Sequence, residues 1–118
     1  MDAEKIIDLD ILRNICGEDV GYIKEIIDLF LLQTPAMVDE IDAAFADNNI
    51  ELLKKKAHKL KSSASMFGIE KLIVPLHLLE ETDIGKSSKK EIRSLLKNVR
   101  KLTETAFRQI KEVRKNYD

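Results

Sequence analysis

The chain has 118 residues, 44% hydrophobic and 35% charged, which fits one globular domain burying roughly two-thirds of its unfolded surface and excludes a disordered polyelectrolyte. Its single cysteine, Cys16, excludes a disulfide framework within the chain and points to a reducing compartment. No apolar run approaches the ~20 residues that span a bilayer, and the acidic opening "MDAEKIIDLD" is unlike a signal peptide, so the expectation is a soluble, cytoplasmic protein.

The net charge of −1 conceals an asymmetry. Residues 1–51 hold 13 acidic and 3 basic side chains, whereas residues 52–118 hold 8 acidic and 17 basic. Such polarity suits a nucleic-acid surface, but four Phe and two Tyr offer little for stacking on bases. The simpler expectation is that acidic and basic helices lie side by side and partly neutralise each other.

Helix signals follow one another along the chain, with only four Gly, two Pro and no alternating β-branched run. A short helix is expected at about 8–16, capped by Asp8 or Asp10 and ended by Gly17. A long one runs over about 19–47, where Ile23, Ile27, Phe30, Thr34, Met37, Ile41 and Phe45 keep the helical repeat. Pro35 removes a backbone donor there and should kink or divide it.

After a turn at "DNN", a third helix is expected over about 50–67, with Gly68 as its stop. The fourth covers about 69–82 on a Leu72, Leu76, Leu79 stripe, with Pro75 as an irregularity inside it. "TDIGKSS" at 82–88 reads as a loop. Ser88 and Glu91 form a capping box opening a last helix over about 88–116. Long helices on short connections give an all-α, antiparallel up-down four-helix bundle with a short N-terminal capping helix, the whole of 1–118 being one domain.

The third helix carries "KKKAHKLKSSASMFG", with five lysines between positions 54 and 61 and His58 among them. On a wheel of about 100° per residue, Leu53, Ala57, Leu60, Ala64 and Phe67 define the core face, and His58 lies about 140° from it. A packed core histidine is therefore excluded. Lys54 and Lys61, at i−4 and i+3, can reach over the ring, and the small Ser62 and Ser65 share its side. Two cations beside an imidazole disfavour its protonated form, leaving a nitrogen lone pair free as a nucleophile, and the same cations suit a dianion bonded to it.

A metal site needs acidic or histidine partners at ligand spacing, and the only other histidine, His77, stands 19 residues on. No acidic residue on the same helix is spaced to orient His58 in a hydrolase triad. His77 reads as a surface residue, because its helical neighbours Glu80 and Glu81 would repel a phosphoryl group.

The stretch "HKLKSSASMFGIEKLIVPLHLLE", 58–80, resembles the signature of histidine-containing phosphotransfer (HPt) domains: His-x-Leu-Lys-Gly-Ser, a hydrophobic residue before Gly, a Leu four further on, and a closing Leu-Glu. Here those places are taken by His58, Leu60, Lys61, Ser63, Phe67, Gly68, Leu72, Leu79 and Glu80. The upstream "DLFLLQTPAMVDEIDAAFADNNIELLKKKAHKLK" is similar to the family's approach to its histidine. The resemblance implies a bundle whose exposed His58 takes a phosphoryl group from the aspartate of one receiver domain and passes it to another, in a hybrid kinase or a response regulator. It implies that Lys61 holds the phosphoryl oxygens and that a small residue four after the histidine leaves room for the partner. The family's usual glycine at that place is Ser62 here, which narrows the space and adds a hydroxyl donor.

Lys59 follows His58 where two-component autokinases have an acidic residue, and no glycine-rich phosphate loop is present, so the chain is not expected to bind ATP or phosphorylate itself. No cofactor is expected on this chain, and the Mg²⁺ of the reaction is expected in the receiver partner. Lys54, Lys59, Ser62, Ser65, Gln33 and Gly68 are the expected supporting residues. Leu32 and Met66, which point away from their helices' core faces, are the expected docking residues for a monomeric carrier. Two alternatives stand beside this: a helical module using the 54–61 lysines on nucleic acid, and a phosphotransfer-like bundle used only for docking.

Overall fold

The computed structural model describes residues 4–83 and 88–117. Its helices are α1 (Asp10–Cys16), α2 (Val20–Ala46), α3 (Ile50–Met66), α4 (Glu70–Glu80) and α5 (Lys89–Arg114), the last followed by a 3-10 turn at Lys115–Tyr117. No strand occurs among the described residues. Helix α2 packs on α3, α3 on α4, α4 on α5 and α5 back on α2, which closes a four-helix bundle, and α1 rests against α2. Residues 84–87 of the expected loop lie outside the described residues.

The helix ends show why the chain turns where it does. Asp19 Oδ1 accepts from the Tyr22 N–H at 3.0 Å, Asn49 Oδ1 from Leu52 at 3.1 Å and Ser88 Oγ from Glu91 at 3.1 Å, each satisfying a donor the helix leaves free. Helix α1 departs from expectation: Leu9 is its N-cap, and Asp8 stands one residue further out, accepting from Asp10 N–H at 3.0 Å.

Helix α2 is not divided at Pro35. The ring costs one backbone bond, but its side is exposed, and packing against α3 on one flank and α5 on the other holds the helix through the gap. Pro75 is likewise accommodated, buried beside Leu72, Leu76 and Leu79 in the inward stripe of α4.

Ile27, Ile41, Leu53, Leu60, Leu72, Leu76, Val99 and Ile110 are fully buried together, and the Phe67 ring meets Phe30 at 4.4 Å. Phe45 is only half-buried, because its ring lies at the rim with the Arg93 guanidinium 5.8 Å from its centre. The acidic and basic halves do lie side by side: Lys56 pairs with Glu40 at 2.7 Å, Arg100 with Asp39 at 2.9 Å, and Arg114 with Asp28 at 2.6 Å.

The α3–α4 turn also seats the N-terminal segment. Gly68 has φ +62°, and a Cβ there would fall on the Asp8 carbonyl oxygen and within 2.7 Å of the Asp8 Cβ. The Asp8 N–H donates to the Phe67 carbonyl at 2.9 Å, while the Gln109 side chain of α5 bonds both Ile6 and Glu4 of the same segment. Gly68→Ala should therefore cost roughly 1–3 kcal/mol in a urea unfolding experiment, from the left-handed backbone and from displacing the segment. An unchanged midpoint would show that the close approach is not needed.

Candidate functional site

Helices α3 and α4 leave the Gly68 turn antiparallel, and about three turns out from it His58 and Glu80 come level across the groove between them. The His58 side chain is 69% exposed and that of Glu80 only 18%. His58 Nδ1 stands 3.0 Å from Glu80 Oε1, and Lys61 Nζ donates to Glu80 Oε2, also at 3.0 Å. One carboxylate thus answers to two groups of the neighbouring helix.

An ionised carboxylate only accepts, so the Glu80 contact places a hydrogen on Nδ1. In the neutral ring the lone pair then belongs to Nε2, which points outward. Burial alone would raise the Glu80 carboxyl, but hydrogen bonds and charge from Lys61 and His58 outweigh it and hold the group below the usual carboxylate range.

The orienting acid comes from a neighbouring helix, which a single-helix wheel does not reveal. Glu80, a helical neighbour of His77, belongs instead to His58. The signal was in the sequence, as the closing Leu79-Glu80 of the signature. His77 is exposed and lies 3.6 Å from Glu81.

The other expected residues separate into groups. Lys61 is at the site; Lys54 is half-buried, Lys59 is exposed, and neither makes a hydrogen bond or ion pair with His58 among the described residues. With Lys56 tied to Glu40 and Lys61 to Glu80, two of the five lysines are engaged, which thins the free cation cluster a nucleic-acid module would use.

Ser62 Oγ donates to the His58 carbonyl at 3.2 Å and Ser65 Oγ to the Lys61 carbonyl at 3.1 Å. Both hydroxyls are therefore turned back on α3, and the donor expected from Ser62 is already in use. Gly68 lies about 15 Å along α3 from His58, and its contacts are with Asp8, so it supports the fold and not the ring.

Leu32 is 76% exposed, as expected, and Gln33 beside it is also exposed. The Lys56–Glu40 pair sets the antiparallel register of α2 and α3, which brings Leu32 level with Ala64, about 9 Å along the axis from His58. Met66 is a correction. It is half-buried and packed against the core, not free at the surface as its angle on α3 alone implies.

The fold and this exposed, carboxylate-oriented histidine define a helical bundle suited to carrying a phosphoryl group. A model of the Hpt domain matches residues 25–112, so the chain belongs to the Hpt domain family. Hpt domains act by phosphotransfer in two-component phosphorelays, where they interact with receiver domains. Neither a curated protein nor a solved structure matches the chain.

Because Glu80 titrates below its usual range in the fold, its contribution to stability is complete above the ordinary carboxylate value of 4.5 and is lost as pH falls through the lowered one. In an NMR titration of the Glu80 carboxyl carbon, Lys61→Met should raise the midpoint towards that ordinary value. A midpoint that does not move would mean that Lys61 does not hold the carboxylate.

Proposed function

We propose that this chain is a phosphorelay intermediate that takes a phosphoryl group on His58 Nε2 from the aspartyl phosphate of one receiver domain and returns it to the aspartate of another. The observation that carries the proposal is the 3.0 Å contact of Glu80 with Nδ1 on an otherwise exposed ring. The Nε2 lone pair attacks phosphorus, the new N–P bond forms as the aspartyl O–P bond breaks, and the carboxylate leaves. The ring then carries a positive charge with Nδ1–H intact, and Glu80 stands against that charge. No proton has to move, so the transfer reverses readily onto a second aspartate.

Lys61 is the cation nearest the ring's carboxylate partner, and once the imidazole bears a phosphoryl group its ammonium has a stronger anion to turn to. Mg²⁺ is best assigned to the receiver. Among the described residues the carboxylate at His58 is already shared by a lysine and the ring, a poor donor set for a divalent cation, and no group of three or more His, Cys, Asp or Glu side chains could hold a metal.

The receiver would close over the ring and exclude water, using the exposed Leu32 as an apolar contact and Gln33 as a polar one. The carrier would work as a monomer in the cytoplasm; no helix among the described residues is long and apolar enough to cross a membrane.

Incubation with a phosphorylated receiver should label the chain with acid-labile phosphate, His58→Gln should abolish the label, and His77→Gln should not. The reverse pattern would overturn the assignment. Lys61→Ala should slow transfer by roughly 10- to 100-fold, the loss of one charge-assisted contact, while Lys56→Ala changes it little. Equal losses would show that general charge matters and not a shaped site. Leu32→Asp should weaken receiver binding and leave the melting temperature in place; normal binding would put the docking surface elsewhere around His58.

A further inference from the structure

Helix α5 carries a second charged surface, unrelated to His58. Measured round the wheel from Lys97, the side chains of Lys90, Arg93, Lys101, Arg108 and Lys111 all lie within about 40° of it. All six are exposed. The buried residues Ile92, Leu96, Val99, Thr103, Ala106 and Ile110 centre about 140° away, so the stripe faces outward along the length of the helix.

From Lys90 to Lys111 it runs about 32 Å in a straight line. Glu104 is the one acidic side chain on that face, and none of the six cations has a carboxylate within ion-pair distance among the described residues. An ordinary solvated face mixes the two signs. Here the pairing has been done on the flank, where Arg100 and Arg114 take up the aspartates of α2, and the outer face is left positive.

We infer that the outer face of α5 is a docking surface for an anionic lipid leaflet. Three observations favour a flat polyanion. The cations are collinear, so a plane of headgroups meets all of them at once, whereas the curving phosphate strands of a duplex meet a straight rod only at intervals. Helix α5 places no aromatic or amide side chain on this face to stack on bases or read their edges, and the one ring beside it, Phe45 of α2, is half-buried under the Arg93 guanidinium. No large apolar side chain of α5 is exposed, so attachment is electrostatic, without insertion, and yields to salt.

The rest of the molecule fixes the orientation. The overall net charge is only −1, and the acidic side chains of residues 1–51 are repelled by the same leaflet, so α2 turns away from it, and α5 carries the longest positive face. Helices α3 and α5 occupy diagonal corners of the bundle, which leaves His58 turned away from the lipid and open to a receiver.

Sedimentation of the full chain with vesicles tests this. At low salt the chain should pellet with phosphatidylcholine vesicles containing phosphatidylserine, stay in solution with phosphatidylcholine alone, and be released at high salt. Replacing Lys97, Lys101 and Arg108 by Gln should weaken binding roughly 100-fold, at about fivefold per cation, with melting and labelling of His58 unchanged. Lys54→Gln with Lys55→Gln on α3 should leave vesicle binding in place. The inference is overturned by failure to pellet with anionic vesicles at low salt, by equal binding of the α5 triple variant, by loss of binding in the α3 variant, or by tighter binding to duplex DNA than to the vesicles.

Discussion

The chemistry of this bundle depends on α3 and α4 leaving their shared turn close together and antiparallel, because the histidine stands on one helix and the carboxylate that orients it on the other. Gly68 makes that turn possible with its positive φ, and the Asp8 backbone packs where any larger residue would project. Leu60, Ala64, Leu72, Leu76 and Leu79 then hold the two helices together, burying both inner faces completely. Glu80 follows from this placement. It is mostly shielded, holds the ring through Nδ1 and ties Lys61 down, so that an exposed side chain has a defined outward nitrogen.

Charge is arranged to serve packing on one side and chemistry on the other. Acidic α2 lies between basic α3 and α5, and the pairs Lys56–Glu40, Arg100–Asp39 and Arg114–Asp28 sew those seams. Exposed pairs of this kind are worth up to about 1 kcal/mol each, so they set register more than they add stability. What they leave over is exposed positive surface: the lysines near His58 and a stripe of α5 that makes no ion pair among the described residues.

Most of the fold was legible because it rests on local signals. The helical repeat of Ile23, Ile27, Phe30, Thr34, Met37 and Ile41 marks a buried face directly, and Asp19, Asn49 and Ser88 announce helix starts through side-chain caps that the structure shows formed. His58 was legible for the same reason, since its angle on its own helix suffices to expose it. The readings that needed a neighbouring element fared worse. Met66 is half-buried against the core, the partner of Glu80 is across a groove, and the hydroxyl of Ser62 is drawn to the His58 carbonyl. Pro35 illustrates the converse, a local helix-breaker overridden by packing on both flanks.

The central claim is that Glu80 fixes which nitrogen of an exposed histidine reacts. It is tested most directly by identifying the phosphorylated atom, using ¹⁵N and ³¹P NMR of the chain after transfer from a phosphorylated receiver. The account predicts phosphorus on Nε2 of His58, with Nδ1 still protonated and bonded to Glu80. Phosphorus on Nδ1, or on any residue other than His58, would contradict it.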